Sequence, residues 1–276
     1  MNRYLKEGQK SNYDKSPVVN VPGYEDACLC GWDQVSDHLG HAASETGLLV
    51  FECYQGVNDD EVLNALKEAF PDASIYLSAD AMKPQQQLYD ILKGDITDDE
   101  IFGYMTRYTL DVYFDGACVE AMRKKINEDR SRLKIIYGVG ASYVADTDGI
   151  LVYLDMARWE IQMRFRRNEV SNVGFDNKSE RASLQYKQAF FVDWRILDRW
   201  KKKIYGRNKL RRTMIVTSWR FREIDPGAMQ EALKTRREIA AREKEFRQLF
   251  AEYLTECKPY IVNWVLEALR EESRKR

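Results

Sequence analysis

The segment from Leu48 to Val62 most constrains what this chain can fold into. It opens with an apolar run, Leu48–Cys53, which is short, continuous and followed by a glycine turn at Gly56. Such a run predicts a strand buried on both faces of a parallel sheet. The residues after the turn predict the start of a helix. A strand, a glycine turn and a helix in this order are the place where nucleotide-binding α/β proteins keep a phosphate-binding loop.

The working residues of such a loop are missing from this segment. The pattern G-x-x-x-x-G-K-[ST] needs a lysine and a hydroxyl residue after its second glycine, and here Gly56 stands without them. Asp59, Asp60 and Glu61 lie at the predicted helix start instead. They suit the helix dipole, but they repel a phosphate from the place that it would use. The sequence thus predicts the layout of a phosphate-binding protein without its most recognisable binding element.

Further apolar runs alternate with helical patterns along the chain. They predict four more strands, at residues 74–78, 133–137, 149–155 and 213–217. Strands separated by helices imply parallel pairing with right-handed crossovers. We therefore expect an α/β fold: a doubly wound, mostly parallel five-stranded sheet of P-loop-kinase-like layout with a C-terminal helical extension. Thr97 and Glu100 have capping-box spacing and predict another helix start.

The sequence divides into three parts. Residues 1–20 read as a mobile N-terminal segment, residues 21–225 as the α/β domain, and residues 226–276 as a helical tail. An apolar stripe of the tail contains Tyr260, Ile261, Trp264 and Val265. This stripe is typical of a helix folded back on the domain, and equally of an arm that forms a homo-oligomer or docks a protein partner.

Composition excludes several classes of function. The chain has 43 basic and 44 acidic residues, so no overall charge favours nucleic acid or a membrane surface. No apolar run approaches the roughly 20 residues of a membrane span. The polar residues 1–15 lack the apolar core of a signal peptide, and we expect a cytoplasmic protein. Five scattered cysteines and two histidines, His38 and His41, provide no recognisable ligand set, so no metal site is expected.

Candidate ligand-binding residues follow the predicted strands, because ligands of open α/β sheets bind at the carboxyl ends of the strands. They are Glu52, Tyr54 and Gly56 after the first strand, Gly138, Gly140 and Ser142 after the third, and Asp155 after the fourth. The glycine-rich turn 137–142 has two interpretations. Its backbone N–H groups can form an anion-binding nest, or its glycines can serve close packing at a strand exit.

An arginine-rich helix is predicted directly after the fourth strand. Arg158, Arg164 and Arg167 are spaced so that they share one helical face. In small P-loop kinases, arginines in this position hold and neutralise the transferring phosphates. The alternative is a solvated basic face that pairs with nearby acids, and the sequence leaves both interpretations open.

Several strings, in order, resemble one known family. The most specific are 137–142 (YGVGAS), 153–162 (YLDMARWEIQ) and 191–195 (FVDWR). The chain, over about residues 11–235, resembles the N-terminal kinase-like domain of the long bacterial class I mannose-6-phosphate isomerases. In that family a zinc cupin performs the isomerisation. The helical tail stands here where the cupin would begin, so the resemblance supplies no zinc ligands and implies no isomerase chemistry.

Three functions are compatible with these observations. The first is a pseudokinase-like module that binds a nucleotide, a sugar phosphate or a protein partner without turnover. The second is a divergent phosphotransferase that uses ATP with magnesium, in which Glu52 or Asp155 holds Mg²⁺ and the arginines clamp phosphates. The third is an assembly protein that acts through its helical tail.

Overall fold

The structure is a computed structural model that describes residues 28–145, 149–206, 213–217 and 222–224. Strands and helices alternate through this part of the chain. The predicted mobile segment 1–20 and the predicted tail 226–276, with its candidate docking residues Tyr260, Ile261, Trp264 and Val265, lie outside the described residues.

The described elements have the following bounds. The strands are β1 (Cys28–Cys30), β2 (Leu48–Cys53), β3 (Ser74–Leu77), β4 (Lys134–Gly138), β5 (Ile150–Asp155), β6 (Thr213–Thr217) and β7 (Arg222–Ile224). The helices are α1 (Trp32–Thr46), α2 (Asp59–Ala69), α3 (Gln85–Ile96), α4 (Gly116–Glu128), α5 (Ala141–Ala145), α6 (Arg158–Arg166), α7 (Ala182–Gln188) and α8 (Trp194–Gly206). Short 3₁₀ turns occur at Ser78–Ala81 and Leu110–Tyr113, and a π-helical turn, Ala189–Asp193, joins α7 to α8.

The strands form one sheet in the order β1-β7-β6-β5-β2-β4-β3. The run from β6 to β3 is parallel, and all six residues of β2 in its middle are buried. The predicted α/β fold with a parallel sheet is therefore confirmed. Within the described residues the sheet has seven strands rather than the predicted five, because β7 and β1 extend one edge in antiparallel fashion. Each has three residues, too few to give a periodic pattern in the sequence.

Alternate residues of β2 contribute to two separate cores, one on each face of the sheet. Leu49 and Phe51 pack into a cluster with residues of α1 and α2. Val50 belongs to a larger cluster that contains residues of α3, α4, α5, α6 and α8. Helices thus cover both faces, which explains why the central strand reads as a continuous apolar run.

The chain leaves two neighbouring strands toward opposite faces of the sheet. After β2 it continues into α2, whose Val62 and Leu66 pack on one face. After β4 it continues into α5, whose Ala141 and Val144 pack on the other. Because the two connections diverge, a crevice opens at the carboxyl ends of β2 and β4, the position where open α/β sheets bind ligands.

The predicted helix start at Thr97 is wrong. Thr97 ends α3 with a left-handed backbone (φ 61°), and no helix begins there. The Asp99 carboxylate does accept hydrogen bonds from the amides of Ile101 and Phe102, both at 2.7 Å, but these close an isolated turn. A cap stabilises a helix only when an apolar face packs behind it, and here Ile101 and Phe102 are exposed.

Candidate functional site

A cleft of about 580 Å³ lies at the carboxyl ends of β2, β3 and β4. Its walls are the loop after β2, the turn after β3, the end of β4 and the segment that follows α6. Tyr54, Gly56 and Gly138, three of the predicted site residues, line it. The volume falls in the range of small-molecule sites, roughly 300–1,000 Å³.

The loop between β2 and α2 is held from behind by α6. Gly56 has a positive φ of 88°, and a Cβ atom there would lie 2.8 Å from Cγ1 of Ile161. The Arg164 guanidinium donates a hydrogen bond to the Gly56 carbonyl oxygen at 2.9 Å. Gly56 is thus required by its backbone conformation and by the close approach of α6, and the loop has one fixed conformation.

We expect Gly56→Ala to destabilise the fold by about 2 kcal/mol, because the new methyl group meets Ile161 and the positive φ disfavours a side chain. Urea unfolding measures the change. The matched control is Gly94→Ala, since Gly94 lies within α3 and its Cβ would meet nothing within 4 Å. That control should raise stability by about 1 kcal/mol. Equal effects of the two substitutions would contradict the packing argument.

Glu52 fills the predicted anion-binding nest. Its Oε1 accepts a hydrogen bond from the Gly140 amide at 2.8 Å. Its Oε2 accepts from the Ser142 amide at 2.8 Å and from the Ser142 hydroxyl at 2.6 Å. Trp200 Nε1 donates to the same hydroxyl at 3.2 Å. The turn after β4 does converge N–H groups, and the group they bind is a carboxylate of the chain itself. Its glycines also serve close packing, the other predicted interpretation, because a Cβ atom at Gly140 would collide with Phe114 and one at Gly138 with Ser78.

Burial and hydrogen bonding act in opposite directions on the Glu52 carboxyl. Burial raises its pKa, because the charged form loses its hydration. The hydrogen bonds from Ser142 and Gly140 favour the charged form and oppose part of that rise. Glu52 is 1% exposed, so its oxygens are enclosed by these donors and are turned away from solvent.

Each of the three arginines that were predicted to hold phosphates forms an ion pair with an acidic residue. Arg158 pairs with Asp198 through a short hydrogen bond. Arg164 lies 3.2 Å from a Glu160 carboxylate oxygen, and Arg167 contacts Glu160 at 2.9 Å and Glu169 at 2.6 Å. The structure thus places all three guanidinium groups in ion pairs, but it does not leave the face wholly solvated, because Arg164 is buried. None of the three lines the cleft.

The other two candidates lie where β5 and β2 meet α8. Asp155 accepts a hydrogen bond from Lys201 Nζ at 2.6 Å, and the Tyr54 hydroxyl donates to Asp198 at 2.8 Å. Burial and the neighbouring Asp198 carboxylate raise the pKa of Tyr54, so this phenol stays protonated. These pairs attach α8 to the sheet.

A buried polar network that sequence reasoning missed is centred on Asp193. Its carboxylate accepts hydrogen bonds from Tyr113 at 2.7 Å, from Gln55 at 2.9 Å and from Asn172 at 2.7 Å. Burial raises the pKa of Asp193 from its ordinary value of 3.8 to about 6. Asp193 ends the π-helical turn, and both Gln55 and Asn172 line the cleft. The one sequence signal was the acid Asp193 in the mostly apolar stretch 190–197.

An irregular segment, residues 101–108, displays large apolar side chains on the surface. Ile101, Phe102, Tyr104 and Met105 are each at least half exposed. The backbone beneath is held firmly, since the Arg199 guanidinium donates to carbonyl oxygens of this segment. Rigidly held exposed apolar groups are typical of a surface that contacts other molecules.

Two features are absent from the described ranges. No group of three or more His, Cys, Asp or Glu residues there has the geometry of a metal site. None of the helices of those ranges is both long enough and apolar enough to cross a bilayer.

Residues 31–212 match the model of a family described as Domain of unknown function (DUF8485). The chain belongs to this family. The match covers the strands β2 to β5, the cleft and the Asp193 network, so the candidate site is part of the DUF8485 domain. A search of curated proteins found no match.

Proposed function

We propose that the DUF8485 domain of this chain is a kinase-like binding module, which holds a small ligand in the cleft without phosphoryl transfer. The order of the parallel strands supports the P-loop-kinase-like layout. β2, followed by the glycine turn and α2, lies in the middle of the sheet between β4 and β5, both of which come later in the chain. The cleft lies at its carboxyl end.

The Glu52 carboxylate in the nest is the observation that carries the proposal. In a phosphate-binding domain, converging backbone N–H groups beside the central strand remain available for the ligand's anion. Here the Gly140 and Ser142 amides bind Glu52 instead. A phosphate bound by these two amides would have to displace a buried carboxylate that already satisfies them.

The alternative, a divergent Mg²⁺-dependent phosphotransferase, receives less support. It requires Glu52 or Asp155 to hold the metal and the arginines to hold phosphates. Glu52 is buried in the nest, Asp155 is bonded to Lys201, and Arg158, Arg164 and Arg167 are paired with acids.

The resemblance to mannose-6-phosphate isomerases adds a context to this proposal. In those proteins the corresponding domain precedes the catalytic cupin, so a binding module associated with an isomerase, and carrying no isomerase chemistry itself, fits the same residues. The exposed segment 101–108 supports a protein partner for such a module.

The proposal predicts no phosphoryl transfer from ATP. Purified full-length chain is incubated with ATP and Mg²⁺, with a hexose or a hexose phosphate as acceptor, and ADP release is followed in a coupled assay. We expect no more ADP than a heat-denatured sample gives. Asp155→Asn and Glu52→Gln serve as the matched variants, because each removes a proposed metal ligand. ADP formation that is lost in Asp155→Asn or in Glu52→Gln would overturn the proposal, whereas equal traces in all three proteins identify a contaminating enzyme.

A further inference from the structure

We propose that the cleft selects an unphosphorylated, hydroxylated organic amine, and that its carboxylates exclude the phosphorylated form of the same molecule. This inference rests on the proposed binding function and assigns its ligand class. The charges that line the cleft, one buried acceptor without a donor and the hydrogen bonds of the lining lysine Lys83 support it.

Acidic groups outnumber basic ones in the described lining of the cleft. The four acids are Asp59, Asp60, Asp176 and Glu169, the last of which is paired with Arg167, and the two lysines are Lys83 and Lys178. Asp59 and Asp60 stand in the first turn of α2, where a phosphate loop would present N–H groups to its anion. A ligand phosphate at this position would meet two carboxylates at short range.

The ammonium group of Lys83 is already surrounded by acceptors. It donates hydrogen bonds to the carbonyl oxygens of Val112, at 2.7 Å, and of Phe114. It also lies 3.3 Å from the Asp111 carbonyl oxygen. Three acceptors match the three N–H bonds of a lysine ammonium, so Lys83 has no donor left for a phosphate. Lys178 offsets one of the neighbouring carboxylates, since its charge acts on Asp59.

Asp59 is positioned to accept a hydrogen bond from a ligand. The Tyr137 hydroxyl donates to its Oδ1 at 2.7 Å and fixes the carboxylate against the cleft wall. Partial burial and the charge of Asp60 raise the pKa of Asp59. Both effects disfavour the negative charge, and a bound ammonium group would relieve both.

Gln55 supplies a second, independent indication of a donor-bearing ligand. Its side chain is 2% exposed and lines the cleft. Nε2 donates to Asp193, which fixes the orientation of the amide, and Oε1 has no hydrogen-bond partner among the described residues. A buried carbonyl oxygen without a donor is costly. Oε1 is itself enclosed, so a ligand hydroxyl or ammonium group satisfies it once the side chains that cover it move aside.

The test compares three probes that share one scaffold and differ in charge. Glucosamine, glucose and glucose 6-phosphate are titrated into the full chain by isothermal calorimetry at low salt. The set is repeated with 5′-amino-5′-deoxyadenosine, adenosine and AMP. We expect the amine to bind about tenfold more tightly than the phosphate on at least one scaffold. Such a change in Kd is a difference of about 1.4 kcal/mol in binding free energy. The proposal is overturned if the phosphate binds as tightly as the amine, or if neither amine binds at 10 mM, on the order of the weakest affinities that mark a site.

A pair of variants locates the effect in the cleft. Asp60→Asn removes a lining charge, and Glu61→Gln removes the same charge from the same helical turn outside the lining. Asp60→Asn should reduce the preference for the amine severalfold, and Glu61→Gln should leave most of it. Equal effects would show that the charge acts on the helix terminus rather than on a cleft ligand, and would overturn the assignment. This outcome is distinct from failure of the proposed function, which the ATP assay reports.

Discussion

Glu52→Gln is expected to destabilise the domain by about 3 kcal/mol, although it changes a single atom. The two carboxylate oxygens accept hydrogen bonds from the Gly140 and Ser142 amides and from the Ser142 hydroxyl. A glutamine must place its NH₂ group at one of these two oxygen positions. In either position the NH₂ group of the glutamine faces the backbone amide of Gly140 or of Ser142 in a buried site. Neither of the two N–H donors then has an acceptor. Urea unfolding at pH 7 measures the loss.

Ser142→Ala is the control for Glu52→Gln. It removes one hydroxyl donor to Glu52, and the acceptor of Trp200, but keeps both amide hydrogen bonds. Its expected cost is about 1 kcal/mol. If Glu52→Gln cost no more than Ser142→Ala, the carboxyl would have to be protonated in the folded protein. The nest would then hold a neutral group, and the main support for the proposed function would be lost.

Local patterns were sufficient to predict the parallel sheet. The strand at Leu48–Cys53 was visible because β2 is buried on both faces, which makes every residue of the run apolar apart from Glu52. The start of helix α2 was visible because Asp59, Asp60 and Glu61 suit the positive end of a helix dipole. The strands β1 and β7 were missed because each has three residues, too few to show a periodic pattern in the sequence.

The partners of the site residues could not be predicted, because they depend on contacts between distant parts of the chain. Glu52 was recognised as a candidate from its place after a strand, and the turn 137–142 as a nest from its glycines. Nothing in either pattern indicates that they bind each other across 88 to 90 residues. The hydrogen bond between Gln55 and Asp193 spans 138 residues, so sequence reasoning had no means of detecting it.

The buried Asp193 carboxyl gives the domain a defined dependence on pH. Its pKa is about 6 in the folded chain, against an ordinary value of 3.8. Between pH 3.8 and about pH 6, the Asp193 carboxyl is deprotonated in the unfolded chain but still protonated in the folded chain. The free energy of unfolding therefore falls as the pH rises through this range. The contribution is fully present below pH 3.8 and is lost as the pH passes through about 6. A difference of this size corresponds to about 3 kcal/mol at most.

Asp193→Asn should abolish this contribution while keeping the network. The asparagine carbonyl oxygen can accept the hydrogen bonds from Gln55 and Asn172, and its NH₂ group can donate to the Tyr113 hydroxyl, which rotates to accept. Unfolding of both proteins is measured between pH 4 and pH 7.5, and the difference between them is compared at each pH. Other carboxyls titrate in both proteins and cancel in this difference. The wild-type chain should lose about 2–3 kcal/mol relative to the variant across this range. If the difference in the free energy of unfolding between the two proteins did not change with pH, the pKa of Asp193 would be the same in the folded and the unfolded chain. Burial would then not control the charge of Asp193, and the network beneath the cleft would hold an ordinary carboxylate.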